Sequence, residues 1–282
     1  DLPENPEANG FVMSANKWWM TNPNAENKKN LPTGYYEQTL LGKNLDWIRC
    51  YAQGLYTYVQ EGKPVMSEYD DTLMAADFLE PDISLPIQVG VDFGLTPAAI
   101  FGQRTTKGRW NILHELVTFD MGLERFGEML KTELASKFPK FEVLVHGDPA
   151  GMKRDEIYEV TAFDHLRSIG LTARPTASND FRVRREAGAM PMNRLIEGKP
   201  GLLVDKRCQR LRKALSGGYH FKRVQISGGE RYRDAPNKNE HSHVGDAFMY
   251  LLLGGGEHKR LTRGTNNKFK QSVASTEFDI FA

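Results

Sequence analysis

Apolar and polar positions change period several times along the chain, and each change marks an element. From Leu40 to Tyr58 the apolar residues Leu45, Ile48 and Leu55 recur near helical spacing, with Trp47 and Tyr51 beside them. Gly62-Lys63-Pro64 stops that run, and residues 70–86, opening on Asp70-Asp71, read as a linker. From Pro86 to Asp92 apolar residues alternate with others, which predicts a strand ending on an acid. A tight turn over Phe93–Pro97 leads to a second strand, Ala98–Gly102, and a turn ending at Gly108 leads to a third, Trp110–Val117. Three short strands joined by tight turns predict an antiparallel meander. Leu123, Phe126, Met129, Leu130 and Leu134 then mark one face of an amphipathic helix. Phe141–Asp148 is a fourth strand, again ending on an acid. Val160, Phe163 and Leu166 mark a further helix, and Leu171–Arg174 a fifth strand. Tyr219 to Arg233 predicts a hairpin turning on Gly228-Gly229. A last helix carries His243, Asp246, Phe248 and Leu251.

The order β-β-β-α-β-α-β predicts an α/β fold: a mixed five-stranded sheet, three antiparallel strands followed by β-α-β units, flanked by helices and supplemented by the hairpin. The patterning divides the chain into a partly helical connecting segment over 1–85, a folded domain over 86–256 and a polar, loose C-terminal tail over 257–282.

Composition narrows this little. With 40% hydrophobic and 26% charged residues the 282-residue chain is ordinary globular material. Cys50 and Cys208 cannot supply a disulfide framework or a cysteine zinc site, and a reducing compartment is the default. No apolar run approaches the ~18 residues of a membrane span. The first residues carry no secretory signal pattern, and the missing initiator Met reads as a piece of something longer.

Charge changes the picture once the chain is divided. Residues 1–92 hold six Lys/Arg against fourteen Asp/Glu, a net of −8, whereas residues 182–233 hold fourteen against four, a net of +10. A local excess of that size suits phosphate. The candidate DNA contacts are Arg182, Arg184, Arg185, Lys206, Arg207, Arg210, Arg212 and Lys213, with Lys222 and Arg223 on the hairpin. The plainer alternative is a solvated surface.

Two strands end on Asp92 and Asp148, and Asp246 stands near the start of the last helix. An acid at a strand's carboxyl end faces the crevice where α/β proteins bind ligands, and the glycines and proline around these acids are expected to leave room for one. Three carboxylates brought together repel, so they call for cations, and hard oxygen donors suit Mg²⁺ or Mn²⁺. A pair of such ions ~3.5–4 Å apart can activate a water and stabilise the leaving oxygen of a phosphodiester. Taken singly, each aspartate reads as a cap or turn residue; their topological order makes the joint reading the stronger one. His243 lies three residues before Asp246 on the same helix face, where it can orient a carboxylate, bind metal or position water. His241 falls off that face, and His146 sits on the same side of its strand as Asp148. Removing any one of the three acids is expected to relieve repulsion and leave the metal-free protein as stable as before, or more so.

In this order and context the residues resemble the ribonuclease H-like nuclease domain of the large terminase subunit of tailed bacteriophages. Val89-Gly-Val-Asp92-Phe-Gly94 is similar to the family's first catalytic strand, Asp148-Pro-Ala-Gly151 to its second acid motif, and Ser242-His243-Val-Gly-Asp246-Ala247 to its third. Residues 34–49, Gly54 and Glu61-Gly62 resemble the helical segment that ends the family's ATPase part. The resemblance implies an endonuclease that cuts concatemeric viral DNA during genome packaging and leaves a 3′-hydroxyl. Asp92, Asp148 and Asp246 would hold two Mg²⁺ or Mn²⁺ ions, with His243 as a fourth catalytic candidate. It also implies double-stranded viral DNA, the ATPase part, the small terminase subunit and the portal as partners, no membrane, and the cytoplasm of the infected bacterial host as the location. The chain departs from a full large terminase in one respect. Gly42-Lys43-Asn44, Gly62-Lys63-Pro64 and Gly198-Lys199-Pro200 all lack the rest of a Gly-x4-Gly-Lys-Ser/Thr phosphate loop, so no ATPase activity is expected of it.

Three rivals remain on sequence grounds. A sugar-kinase or actin-like ATPase also opens on a strand, an Asp and a Gly turn, but needs a duplicated unit. A Holliday-junction resolvase or transposase would share the fold. A non-catalytic module would use the basic residues to dock DNA or the portal.

Overall fold

The alternation around Asp92 sets the architecture. The computed structural model describes residues 62–94, 96–152, 160–224 and 231–257, with Asn30, Pro32 and Tyr35 besides. The helix expected over 40–58, the turn at Gly228-Gly229 and the tail over 258–282 lie outside the described residues. In chain order the elements are β1 (Gly62–Pro64), α1 (Asp71–Met74), β2 (Ala75–Ala76), β3 (Ile87–Asp92), β4 (Ala98–Arg104), β5 (Trp110–Val117), α2 (Leu123–Lys137) and β6 (Val143–Gly147). Then come α3 (Ala162–Ser168), β7 (Ala173–Pro175), α4 (Phe181–Ala189), β8 (Leu195–Ile196), β9 (Lys199–Pro200), β10 (Leu202–Asp205), α5 (Gln209–Lys213), β11 (His220–Val224), β12 (Arg231–Tyr232) and α6 (Glu240–Gly254).

Among the described residues, seven strands form one mixed sheet in the order β2-β10-β5-β4-β3-β6-β7. The meander β3-β4-β5 is antiparallel, β6 runs parallel to β3, and β7 runs parallel to β6. β10 runs parallel to β5, and β2 parallel to β10. Every strand but β4 therefore ends at one carboxyl edge.

Each face of the sheet carries its own core. Ile87, Val89 and Val91 of β3 pack with Phe126, Leu130 and Leu134 of α2 and Phe163 and Leu166 of α3. On the other face Ile100, Trp110, Ile112, Leu202 and Val204 pack with Leu211 of α5 and Val244, Phe248 and Leu251 of α6. Helix α6 is buried over nearly its whole circumference, so it is a core helix laid on the sheet and not an amphipathic cover. Its approach is set by Gly90. A Cβ there would stand 2.2 Å from the carbonyl oxygen of Ala247 and 2.4 Å from the Leu251 nitrogen. Bare backbone against backbone lets α6 run antiparallel to β3, with its first turns at the level of Asp92.

The five expected strands are present in the expected order, and the sheet gains two more. The stretch 70–86, expected as a linker, contributes α1 and β2; Met74 enters the core, and Asp71 accepts a two-pronged bond from Arg212 (2.9 and 2.6 Å). β10 arises inside the segment read only as basic. The hairpin forms from β11 and β12, with β1 as a third strand beside β11. Glu257, expected to open a loose tail, is instead fully buried. It accepts bonds from Arg194 at 2.8 and 2.9 Å and from the Trp110 indole at 2.9 Å, which ties the end of α6 to the sheet.

Candidate active site

Asp92 is the last residue of β3, and the alternation that buries Val89 and Val91 on one face turns its carboxylate to the α6 side. Asn239 caps α6, its Oδ1 accepting from the His241 amide at 3.1 Å. This fixes the helix start so that His243 and Asp246, three residues apart, both look toward β3. His243 Nδ1 donates to Asp92 Oδ2 at 2.8 Å. Burial raises the pKa of Asp92; the His243 bond works against that rise, and the charge of Asp246 adds to it. The hydrogen bond to Asp92, with its charge behind it, raises His243 in turn. Pairing thus favours an ionised Asp92 beside a protonated His243, against the burial that disfavours both charges.

Asp246 is almost fully buried and is heavily neutralised. Its Oδ1 accepts from Arg184 Nη1 at 3.0 Å and from the Tyr219 hydroxyl at 3.1 Å, and its Oδ2 is paired with Lys238 Nζ. Arg184 is itself buried, with its guanidinium 4.6 Å over the ring of Tyr250. Asp148 follows β6 at the same carboxyl edge and opens a short 3-10 turn, its Oδ1 accepting from the Ala150 amide at 2.8 Å. Tyr250 connects the acids. Its hydroxyl donates to Asn179 at 2.7 Å, and burial first, then the charges of Asp148 and Asp92, push the phenol up against the opposing charge of Arg184.

Gly147 and Gly151 bracket Asp148, but the room they leave is not open to a ligand. The ring of Phe93 fills it: a Cβ at either glycine would meet that ring at 2.5 or 2.7 Å. Phe93 also packs edge-on against Phe163 at 5.2 Å, wedging the turn after Asp92 against the loop after Asp148. His146, expected beside Asp148, packs instead under Gly254 at the far end of α6, 3.1 Å from Gln88 Oε1; burial pushes it down to about 4. His241 is buried against Gly218, away from the acids.

The donors are of the hard-oxygen kind that suits a divalent ion. Among the described residues, though, no three His, Cys, Asp or Glu side chains converge closely enough to hold one as they stand. Asp246 spends both oxygens on Arg184, Tyr219 and Lys238, and the Lys238 ammonium neutralises its Oδ2. Arg184, Lys238, Tyr219 and Tyr250 were not assigned to the site from the sequence. For Arg184 a signal existed: Ala187 and Gly188, three and four residues on, mark that face of α4 as one that packs closely.

The candidate DNA contacts divide sharply. Arg184 is an internal partner of Asp246 and is no surface residue. Arg185 donates to the Val65 carbonyl at 3.0 Å and pairs with Glu68. Arg212 is clamped on Asp71, and Arg207 on Asp205 at 2.8 and 2.7 Å. Lys206 pairs with Asp77 at the surface. Lys213 is half-buried, and Arg223 is exposed on β11. Arg182 and Lys222 are exposed and have no side-chain partner among the described residues. Arg210 is exposed with its guanidinium 4.8 Å over Phe119, while Glu115 accepts the amides of Arg210 and Leu211 at 2.9 and 2.8 Å.

No protein-family model matches the sequence, and a search of curated proteins finds no match. Solved structures do match in fold, and they define the class: an α/β fold of the ribonuclease H-like kind, which the family resemblance implies. Among the structures that share it are those of phage large terminases. The P22 large terminase nuclease domain matches with a TM-score of 0.52 at 11% identity, over 70% of this chain and 94% of that one. The large terminase of a thermophilic bacteriophage matches with a TM-score of 0.50 at 16% identity, over 81% of this chain and 53% of that one. The chain thus spans about half the length of the thermophilic phage protein. No helix among the described residues is long and apolar enough to cross a membrane.

Proposed function

We propose that the chain is the nuclease part of a phage large terminase, an endonuclease that hydrolyses phosphodiesters of concatemeric viral DNA during packaging with Mg²⁺ or Mn²⁺. The observation that carries this reading is the Asp92–His243 bond at the carboxyl edge of the sheet, with the charge of Asp246 beside it and Asp148 directly after the neighbouring strand. Asp92, Asp148 and Asp246 would hold the ions, which when bound supply a nucleophilic water and neutralise charge on the phosphate. His243 is a positioning residue: it fixes the Asp92 carboxylate and keeps a proton beside it. Arg184 and Tyr219 fix Asp246 from the opposite side, and Tyr250 stands between Asp148 and Arg184. Arg182, Arg210 and Lys222 are the outward-facing cations best able to meet DNA phosphates, with Lys213 and Arg223 near them in sequence. The ATPase part, the small terminase subunit and the portal complete the setting in the infected host's cytoplasm, and ATP hydrolysis belongs to another segment of the protein.

The test is digestion of supercoiled plasmid. The wild-type chain cuts with Mn²⁺ or Mg²⁺ and not with EDTA, and Asp92→Asn and Asp148→Asn lower the rate at least about a hundredfold, as loss of a group central to charge stabilisation does. DNA binding without cutting under every metal condition would leave only the docking-module reading.

A further inference from the structure

We infer that Lys238 is a tethered cation that occupies the place of a metal at the candidate site and yields it to a divalent ion. This rests on the metal-dependent reading above and adds to it how the site is held before metal arrives.

Lys238 Nζ pairs with Asp246 Oδ2, and its charge also reaches Asp92 and His243, lowering the pKa of each. One ammonium thus acts on Asp92, His243 and Asp246 together. It is held there by anchored neighbours on both sides. The Asn237 amide donates to the His220 carbonyl at 2.8 Å, and Asn239 Nδ2 donates to the Gly218 carbonyl at 2.8 Å while its Oδ1 caps α6. With both neighbours anchored, the four-carbon side chain is the part left to swing.

The two cations on Asp246 differ in kind. The Arg184 side chain is 8% exposed, stacked on Tyr250 and aimed at Oδ1. The Lys238 side chain is 66% exposed and takes Oδ2 from the solvent side. Withdrawing Arg184 would strand a buried charge; withdrawing Lys238 returns an ammonium to water that it already touches. A divalent ion brings twice the charge and takes carboxylate oxygens directly, so it can replace Lys238 on Oδ2 and leave Arg184 in place. Until then Lys238 offsets the repulsion between Asp92 and Asp246. Being covalently attached, it competes with metal at every metal concentration.

The test is Mn²⁺ calorimetry at fixed ionic strength on the wild-type chain, Lys238→Met, Lys238→Arg and Asp92→Asn, with thermal unfolding in EDTA alongside. Lys238→Met is expected to bind Mn²⁺ about fivefold tighter, the equivalent of an exposed ion pair removed as competitor. The same variant should unfold at a lower temperature in EDTA and recover with Mn²⁺, while Lys238→Arg stays close to wild type in both. Equal or weaker Mn²⁺ binding by Lys238→Met, with the heat lost in Asp92→Asn, would overturn the exchange and leave the metal site standing. Absence of Mn²⁺ heat in both the wild-type chain and Lys238→Met would overturn the exchange and the metal reading together.

Discussion

Among the described residues, Asp246 carries more counter-charge than any other acid of the candidate site, and this reverses an expectation about its removal. Three aspartates in a cluster lead one to expect relief when any of them is deleted. Arg184 changes that for Asp246: with the carboxylate gone, a buried guanidinium loses its ionic partner, and its Nε already lacks a hydrogen-bond acceptor. Asp246→Ala should therefore destabilise the metal-free protein by about 3–5 kcal/mol. Asp92 behaves in the opposite sense. Its carboxyl pKa is raised in the fold, so its ionised form costs stability, and that cost is fully present once the pH exceeds the folded value. Asp92→Asn removes the cost and keeps a hydrogen-bonding group next to His243, so at neutral pH it should hold stability within about 1 kcal/mol of wild type or above it. Urea unfolding of both variants in EDTA separates the two cases; similar losses in both would mean that Arg184 does not depend on Asp246. From sequence, Asp92, Asp148, Asp246 and His243 were legible because each sits in a distinctive local frame. Arg184 was not, since a basic residue on a helix looks alike whether it faces phosphate or a buried acid.

At the scale of elements, β3 and α6 make the site together, and Gly90 is where they meet. Alanine there would bring a Cβ to 2.2 Å from a backbone oxygen that cannot step aside without moving the helix. Gly90→Ala should cost about 3 kcal/mol or more, at or beyond the upper end for overpacking, and should lower cleavage by shifting His243 and Asp246 away from Asp92. Near-wild-type stability and cleavage in that variant would show that the contact is not what registers the helix. The strands β3 to β7 were readable because alternation or a bounded apolar run declares a strand locally. β2 and β10 were not. They span two and four residues, and what makes them strands is pairing with partners distant in sequence: β2 with β10, and β10 with β5. Glu257 escaped for a similar reason, since its partners Trp110 and Arg194 lie far back in the chain.

Over the whole molecule, the acidic N-terminal stretch and the basic later stretch partly answer one another. Glu68 pairs with Arg185, Asp71 with Arg212 and Asp77 with Lys206, so three of the candidate DNA contacts fasten residues 68–77 to the domain. Regional net charge showed the excess but not where its counter-ions lie, because pairing across more than a hundred residues leaves no local trace. What remains is a sheet whose carboxyl edge carries the acids, with Arg182, Arg210 and Lys222 facing outward. The most direct measurement of the central claim, that Asp92, Asp148 and Asp246 act as one metal site, is an anomalous difference map from crystals of this chain soaked in Mn²⁺. The account predicts a manganese peak against the carboxylates of Asp92 and Asp246 on the side facing Asp148, with Lys238 withdrawn from Asp246. A well-ordered map in saturating Mn²⁺ with no peak beside Asp92, and Lys238 still paired with Asp246, would contradict it.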